Sequence, residues 1–446
     1  MLDLTRGHEA KVLIRFALPM LLGNVFQQLY NTVDSVVVGH FVSKQALAAV
    51  GQAFPVMFIS IALMMGFGIA SNVLVAQFFG AKNYNQVKKI IDTTISVTLV
   101  FAVIMSVLGY FISPLILKIM QTPADVMPDA TLYLRIIFAG SLPSFGYNAV
   151  SSIQRGLGDS RTPLYALMIS TVVNVVLDLL FVIVFKWGIA GVAIATIIAQ
   201  IVALLWIVAY LQHNKEKNFI NFKGLSFDRA IFADILKIGL PSGVQQAMVG
   251  AGLMALTGVV NLFGTDTAAA FSAAGKLDGF AMMPAMSVGM AISTFSGQNF
   301  GAANLERIRR GLYFGIAITV GVIGTISVGL FFWGDYFVRW FTSEPEVIKI
   351  GFEYVRIVSL GYVLHAVMFI YGGVIRGAGS VMFPMISTLM AMWIVRIPLA
   401  FWLSKHWGTD GIWWSIVIGF FAGFLANMLY YYFGNWKKRL HLFVKD

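Results

Sequence analysis

Gln77-Phe78-Phe79-Gly80-Ala81-Lys82-Asn83 returns, little changed, as Gln298-Asn299-Phe300-Gly301-Ala302-Ala303-Asn304, 221 residues further along the chain. The same offset carries Lys88-Lys89 onto Arg309-Arg310 and Tyr133-Leu134-Arg135-Ile136 onto Tyr354-Val355-Arg356-Ile357. It also carries Arg155-Gly156-Leu157-Gly158 with Pro163 onto Arg376-Gly377-Ala378-Gly379 with Pro384. Trp187-Gly188 with Gly191 matches Trp407-Gly408 with Gly411, and Pro19 matches Pro241, with a slip of one residue. Several blocks at one spacing identify a duplication, and the duplicated unit decides the architecture.

Each unit is overwhelmingly apolar. Of 446 residues, 59% are hydrophobic and only 11% charged, and the mean hydropathy is +0.82, beyond what a water-soluble domain can bury. The apolar residues lie in long runs, such as 97–117 and 168–185, separated by short stretches of Lys, Arg, Asp, Gly and Pro. A span needs about 20 such residues, so the runs read as transmembrane helices. About twelve are expected, near 14–39, 47–78, 90–117, 129–153, 163–187, 188–212, 231–263, 268–299, 310–336, 348–373, 383–404 and 409–434. The fold class is therefore an all-α polytopic membrane protein. It comprises an N-terminal six-helix bundle over 1–212, a polar linker over 213–230, a second six-helix bundle over 231–434, and a basic tail over 435–446. An even number of spans per repeat gives the halves the same orientation, and a central cavity between such bundles is the usual transport site.

The formal net charge of +11 follows that topology. Arg6, Lys11, Lys82, Lys88, Lys89, Arg155, Arg161, Lys215, Lys217, Lys223, Arg307, Arg309, Arg310, Arg376, Lys437, Lys438 and Arg439 fall on one side. The other side holds chiefly Lys44, Lys118, Lys186 and Lys405 among acidic residues. The positive-inside rule puts both termini in the cytoplasm of a cell whose cytoplasmic membrane holds the protein. Bases spread over short loops do not make a nucleic-acid surface, and none is expected to bind. Cysteine is absent, which removes disulfides and thiolate metal sites. No cleavage site closes a short apolar region near the start, so a cleaved signal peptide is not expected.

Ionisable groups inside spans cost several kcal/mol, roughly 2.5–3.5 on insertion scales, and each needs a reason. The first span carries Asn24, Gln27, Asn31 and Asp34 along one helical face. The fifth carries Asn174 and Asp178, four residues apart, again on one face. Thr196 and Tyr133 from the sixth and fourth spans can close the same pocket. Two carboxylates in low dielectric resist double ionisation, so the pair can share a proton, or chelate a small cation such as sodium with amide and hydroxyl oxygens. The alternative is a hydrogen-bonding cluster that only glues helices, for which amides alone would suffice. The repeat is an internal control: Asp178 falls on Leu399, Asn174 on Val395, and Asp34 near Leu256. The second bundle has Lys276, Asp278 and Arg396 instead, read as a structural ion pair of Asp278 with Arg396 or Lys276 rather than a substrate contact. Gln245 is a candidate for lining the cavity. Met282 and Met286, among several neighbouring methionines, offer a soft surface for varied ligands, or simply packing. No metal-ligating cluster or nucleophile with a base beside it stands out, so neither an enzyme nor a cofactor is expected.

These residues resemble the multidrug and toxic compound extrusion (MATE) family over essentially the whole chain. The resemblance rests on Pro19, Gln27, Asn31, Asp34 and Val38-Gly39, on the Gln77-to-Asn83 block with its repeat, and on the Arg155-to-Gly158 block with Pro163. It implies a V-shaped pair of six-helix bundles that alternates between outward and inward openings. It further implies an antiporter that exports small organic, often cationic, compounds in exchange for protons or sodium ions, acting as a monomer in the lipid bilayer. Asp34, Asn174, Asp178 and Thr196 match the family's cation-binding positions, Gln27 and Tyr133 match neighbours, and Ser151 stands where some relatives have Asn. Acids of the sodium-coupled type in the seventh and tenth spans are represented only by Asp234 and Glu353 near span ends. The chain thus looks more like the DNA-damage-inducible branch, whose coupling is attributed to the N-terminal lobe. The competing reading is a flippase of a lipid-linked precursor, which would call for bases facing the cavity of the first bundle.

Overall fold

The duplicated blocks are helix junctions, and their residue types follow from the turn each must make. Lys82 and Ala303 adopt φ of 56° and 54°, the left-handed position that ends a helix. The next N–H closes the turn: Asn83 donates to the Phe78 carbonyl at 3.0 Å and Asn304 to the Asn299 carbonyl at 2.8 Å, a Schellman geometry. The same asparagines then cap the following helices, Asn83 Oδ1 accepting from Gln86 N at 3.2 Å and Asn304 Oδ1 from Arg307 N at 3.0 Å. In the second block, a Cβ on Gly156 would meet the Asn72 carbonyl and Val75 at 2.9 Å, and one on Gly377 would meet Ser296 Cβ at 2.8 Å. Only glycine permits these close helix approaches. Gly158 and Gly379 follow with φ of 84° and 82°, a conformation that L side chains avoid.

The structure, a computed structural model, describes residues 1–214 and 224–443. Among them the order is α1 (Glu9–Phe41), α2 (Lys44–Gly80), α3 (Tyr84–Ile119), α4 (Met127–Ala139), α5 (Ser141–Gly156), α6 (Arg161–Leu179) and α7 (Gly188–His213). The second repeat follows with α8 (Arg229–Asn261), α9 (Thr265–Gly301), α10 (Leu305–Val338), α11 (Pro345–Gly377), α12 (Met382–Leu389), α13 (Ile397–Trp407) and α14 (Thr409–Phe433). No strand occurs among the described residues. Lys215, Lys217 and Lys223 of the expected linker lie outside the described residues, as do 444–446 of the expected tail and the side chains of Lys44 and Arg439.

Among the described residues eleven helical stretches are long and apolar enough to cross a membrane; the twelfth expected span, near 129–153, is two helices, α4 and α5. They break at Gly140, whose N–H closes α4 on the Ile136 carbonyl at 3.0 Å. Pro143 lies in the first turn of α5, where its missing N–H costs nothing. Many helices are longer than the apolar runs suggested. α2 and α9 have 37 residues each, roughly 55 Å at 1.5 Å per residue, so their polar ends overshoot a hydrocarbon core of about 30 Å.

The chain divides into two units, but not at 213–230. The first holds 1–2, 19–79 and 83–243; the second holds 3–18, 80–82 and 244–446. The start of α8 stays with the first unit because Gly239 and Gly243, one turn apart, lie against α2: a Cβ on Gly243 would meet the Ala62 carbonyl at 3.2 Å and Leu63 Cα at 3.3 Å. Asp228 N–H also donates to Thr93 Oγ1 at 3.1 Å. The segment before Pro19 goes with the second unit, where Leu4 N–H donates to Gln298 Oε1 at 3.0 Å, Asn299 Nδ2 donates to the Leu4 carbonyl at 3.1 Å, and Arg307 pairs with Glu9 at 3.2 Å. Each unit has its own apolar core. In the first, Val37, Ala46, Leu117, Leu134, Phe138 and Val192 come together; in the second, Leu256, Ala274, Val358, Tyr362, Trp413 and Ile416 do so.

Candidate functional site

In the first unit, four helices bring polar side chains to one place inside the apolar core. α1 supplies Tyr30 and Asp34, four residues apart on one face; α4 supplies Tyr133; α6 supplies Asn174 and Asp178; α7 supplies Thr196. α6 and α7 are fastened one turn away, where Ser170 Oγ donates to the Ala199 carbonyl at 3.0 Å. Asn174 and Asp178 are completely buried, and Tyr30 and Tyr133 nearly so. Asp34 lies within interaction reach of both Asp178 and Asn174, and the tyrosines face both carboxylates.

The polar atoms of this cluster have few partners outside it. Tyr30 lies beside Thr196, and Asp34 beside Asp178 and Asn174; beyond these contacts with one another, Tyr30 OH, Asp34 Oδ1, both oxygens of Asp178, both side-chain polar atoms of Asn174 and Thr196 Oγ1 are buried without a hydrogen-bond partner in good geometry among the described residues. Each buried polar atom left open costs about 1–3 kcal/mol. Immediately after Asp178, α6 widens into a π-helical turn over Leu180–Val184, an irregularity that recurs at functional sites.

The remaining expected residues are placed more loosely. Gln27 is half-buried and Asn31 exposed on α1. Ser151 is buried on α5 beside Tyr147. Gln245 is engaged within the second unit, its amide donating to Thr388 Oγ1 at 2.8 Å and to the Pro384 carbonyl at 3.3 Å. Met282 is buried in the second core, whereas Met286 is 40% exposed, so only Met286 offers surface to a ligand.

The second unit corrects the expected ion pair. Asp278 accepts from the hydroxyls of Tyr354 and Tyr362, not from a base. Lys276 is exposed, its Nζ 5.4 Å from the centre of the Phe341 ring. Arg396, buried at the end of a π-helical stretch over Met390–Arg396, stacks 5.7 Å from the Phe420 ring centre, and its Nη1 reaches Met392 Sδ at 3.6 Å. It acts on Asp278 electrostatically, without a direct pair. Two phenols neutralise the local need of a carboxylate by donating charge-assisted hydrogen bonds, which a search for opposite charges overlooks.

A family model described as MatE matches residues 19–180 and again 241–402. The chain belongs to the MatE family. The two matches fall on the two repeats, and full-length relatives agree. "Probable multidrug resistance protein YpnP" of Bacillus subtilis is 32% identical over 98% of this chain and 97% of its own length. "Multidrug export protein MepA" of Staphylococcus aureus is 21% identical over 95% of this chain and 93% of its own. Among solved structures, an outward-facing multidrug resistance MATE transporter superposes with a TM-score of 0.90 at 24% identity, covering 99% of this chain and 98% of that one. A transporter of the wider superfamily from Pyrococcus furiosus, described for the reverse polarity of its binding pocket, matches with the same TM-score and identity. MatE proteins are multi-pass membrane transporters rather than enzymes, and this chain is one of them.

Tyr30 joins the cluster through its i, i+4 spacing to Asp34 on α1, a signal present in the sequence, while Arg135 and Arg356 mark the repeat.

Proposed function

We propose that this MatE protein exports small organic, chiefly cationic, compounds by antiport against protons or sodium ions, with Asp34 and Asp178 carrying the coupling ion. The observation behind this reading is the buried cluster of Asp34, Asn174, Asp178 and Thr196. Its donors are all oxygen apart from one amide nitrogen, which suits a proton or a small hard cation. No group of three or more His, Cys, Asp or Glu stands together among the described residues as a metal site would require. An ion entering between the carboxylates removes their mutual repulsion, relaxes α1 between Pro19 and Asp34, and weakens the hold on a cationic substrate; loss of the ion restores it. The names of the relatives support drug export, and the acids and amides of the cluster support a cationic substrate over the anionic precursor of a flippase. Residence in the cytoplasmic membrane with both termini inside, monomeric action and kinship to the DNA-damage-inducible branch belong to the same reading.

The test is uptake of a panel of labelled organic cations into proteoliposomes, with proton and sodium gradients imposed separately. Accumulation driven by one gradient supports antiport and names the ion. Accumulation indifferent to both, or scrambling of a labelled lipid-linked precursor instead, rejects it.

A further inference from the structure

Arg135 sits within α4, eight residues from its first residue, Met127, or roughly 12 Å along the axis. Its guanidinium carbon lies over the Tyr110 ring of α3, 5.0 Å from the ring centre. Its Nε is buried with no hydrogen-bond partner, and it forms no salt bridge among the described residues. Beside it opens a cavity of about 770 Å³, bordered by Tyr110, Thr131, Leu132, Ile136 and Ile197. On the adjoining face of α3, Val103, Val107, Phe111 and Leu115 are exposed at four-residue spacing, a face fit only for lipid.

The repeat supplies the comparison that gives this groove meaning. Tyr110 and Arg135 correspond to Phe331 and Arg356 at the same 221-residue offset. Arg356 also stacks on its aromatic partner, 5.0 Å from the ring centre. The stack is therefore inherited scaffold, and stacking alone does not require a ligand. The surroundings differ. Where the first bundle has Pro128 and Leu132, the second has Lys349 and Glu353, so the second arginine has a carboxylate one turn away and is exposed to solvent or headgroups. The first has an apolar slot and no acid.

We infer that the groove between α3 and α4 is a binding site for an anionic phospholipid, its phosphate held by Arg135 with Thr131 and Tyr110, and an acyl chain laid along Leu132, Ile136 and Ile197. A guanidinium offers several N–H donors in its plane, and stacking on a ring leaves them unused. Two phosphate oxygens can accept two of them side by side. An arginine at this depth reaches the headgroup level by extending its side chain, while a cavity of this size and apolarity suits a hydrocarbon chain.

The experiment is native mass spectrometry of the full-length purified protein incubated with phosphatidylglycerol, and separately with phosphatidylcholine, oleate or inorganic phosphate. Wild-type protein should retain one phosphatidylglycerol in preference to phosphatidylcholine. Arg135→Leu should lower that retention on the order of tenfold, the size of one lost charge-assisted contact. Leu132→Glu, which keeps the arginine but installs the carboxylate of the other bundle, should do the same, and Arg356→Leu should leave it unchanged. Should Arg135→Leu fail to fold, Leu132→Glu alone decides. Equal retention of the two lipids, retention untouched by Leu132→Glu, or an equal loss in Arg356→Leu would overturn the site. Binding of oleate or phosphate at matched concentration in place of the phospholipid would overturn the assigned occupant.

Discussion

Asp178 in the first bundle and Leu399 at the matching place in the second show what the duplication kept and what it released. Both bundles retain the capped junctions at Asn83 and Asn304, the glycine contacts at Gly156 and Gly377, and the arginine–aromatic stacks. They part company in their polar interiors. The first gathers two carboxylates, an amide and hydroxyls whose partners are chiefly one another; the second gives Asp278 two tyrosine hydroxyls. A satisfied carboxylate is at rest, and one left open has capacity for an ion. The junctions hold each bundle together, and the difference between the interiors is what the function proposed above rests on when it assigns coupling to the first.

The sharpest way to break this comparison is to disable the first interior. Asp34→Asn and Asp178→Asn are expected to fold and to reduce gradient-driven accumulation in proteoliposomes to the level of protein-free vesicles. Leu399→Asn, placing an amide at the equivalent position of the second bundle, should leave accumulation near wild type. Persistent gradient-proportional accumulation in Asp34→Asn would move coupling to Asp278.

The shared scaffold is tested next by Gly156→Ala and Gly377→Ala. Each forces a methyl into a backbone contact, so each should destabilise its own bundle by about 1–3 kcal/mol, seen as matched losses in thermal midpoint. A loss in one bundle only would mean that the junctions had diverged as well.

A related effect is expected from Tyr354→Phe or Tyr362→Phe, each removing a charge-assisted hydrogen bond to Asp278 worth about 1.5–3 kcal/mol. The thermal midpoint should fall while the coupling ion's stoichiometry stays the same. Exchanging Asp278 and Arg396 should not rescue expression relative to the single changes, because the two are not in direct contact; rescue would restore the ion-pair reading. The smallest effect should come from Asn83→Ala and Asn304→Ala, about 1 kcal/mol each for the lost cap, again measured as paired shifts in midpoint.

The first unit's pocket was legible because Asp34, Asn174 and Asp178 are polar exceptions on helices that otherwise present apolar residues, and helical periodicity assigns each to a face. Tyr30 and Arg135 were harder to see. A tyrosine is at home near any membrane helix, and an arginine that recurs in both repeats reads as a scaffold marker until its neighbours are known. The Asp278 pairing was misread for a related reason: sequence lists charges, and two phenols that satisfy a carboxylate carry none.

The sequence by itself determined the duplication, the helical class, the junctions and the polar face of each span, because these depend on local periodicity and on residue types that only one backbone geometry accepts. Tertiary structure alone decided which side chains meet. The unit boundary moved into α8 because Gly239 and Gly243 bring that helix against α2. Asp278 found tyrosines rather than bases, and Arg135 came to border an open groove. Such outcomes depend on how helices far apart in the chain approach one another, and no pattern within a single span records that distance.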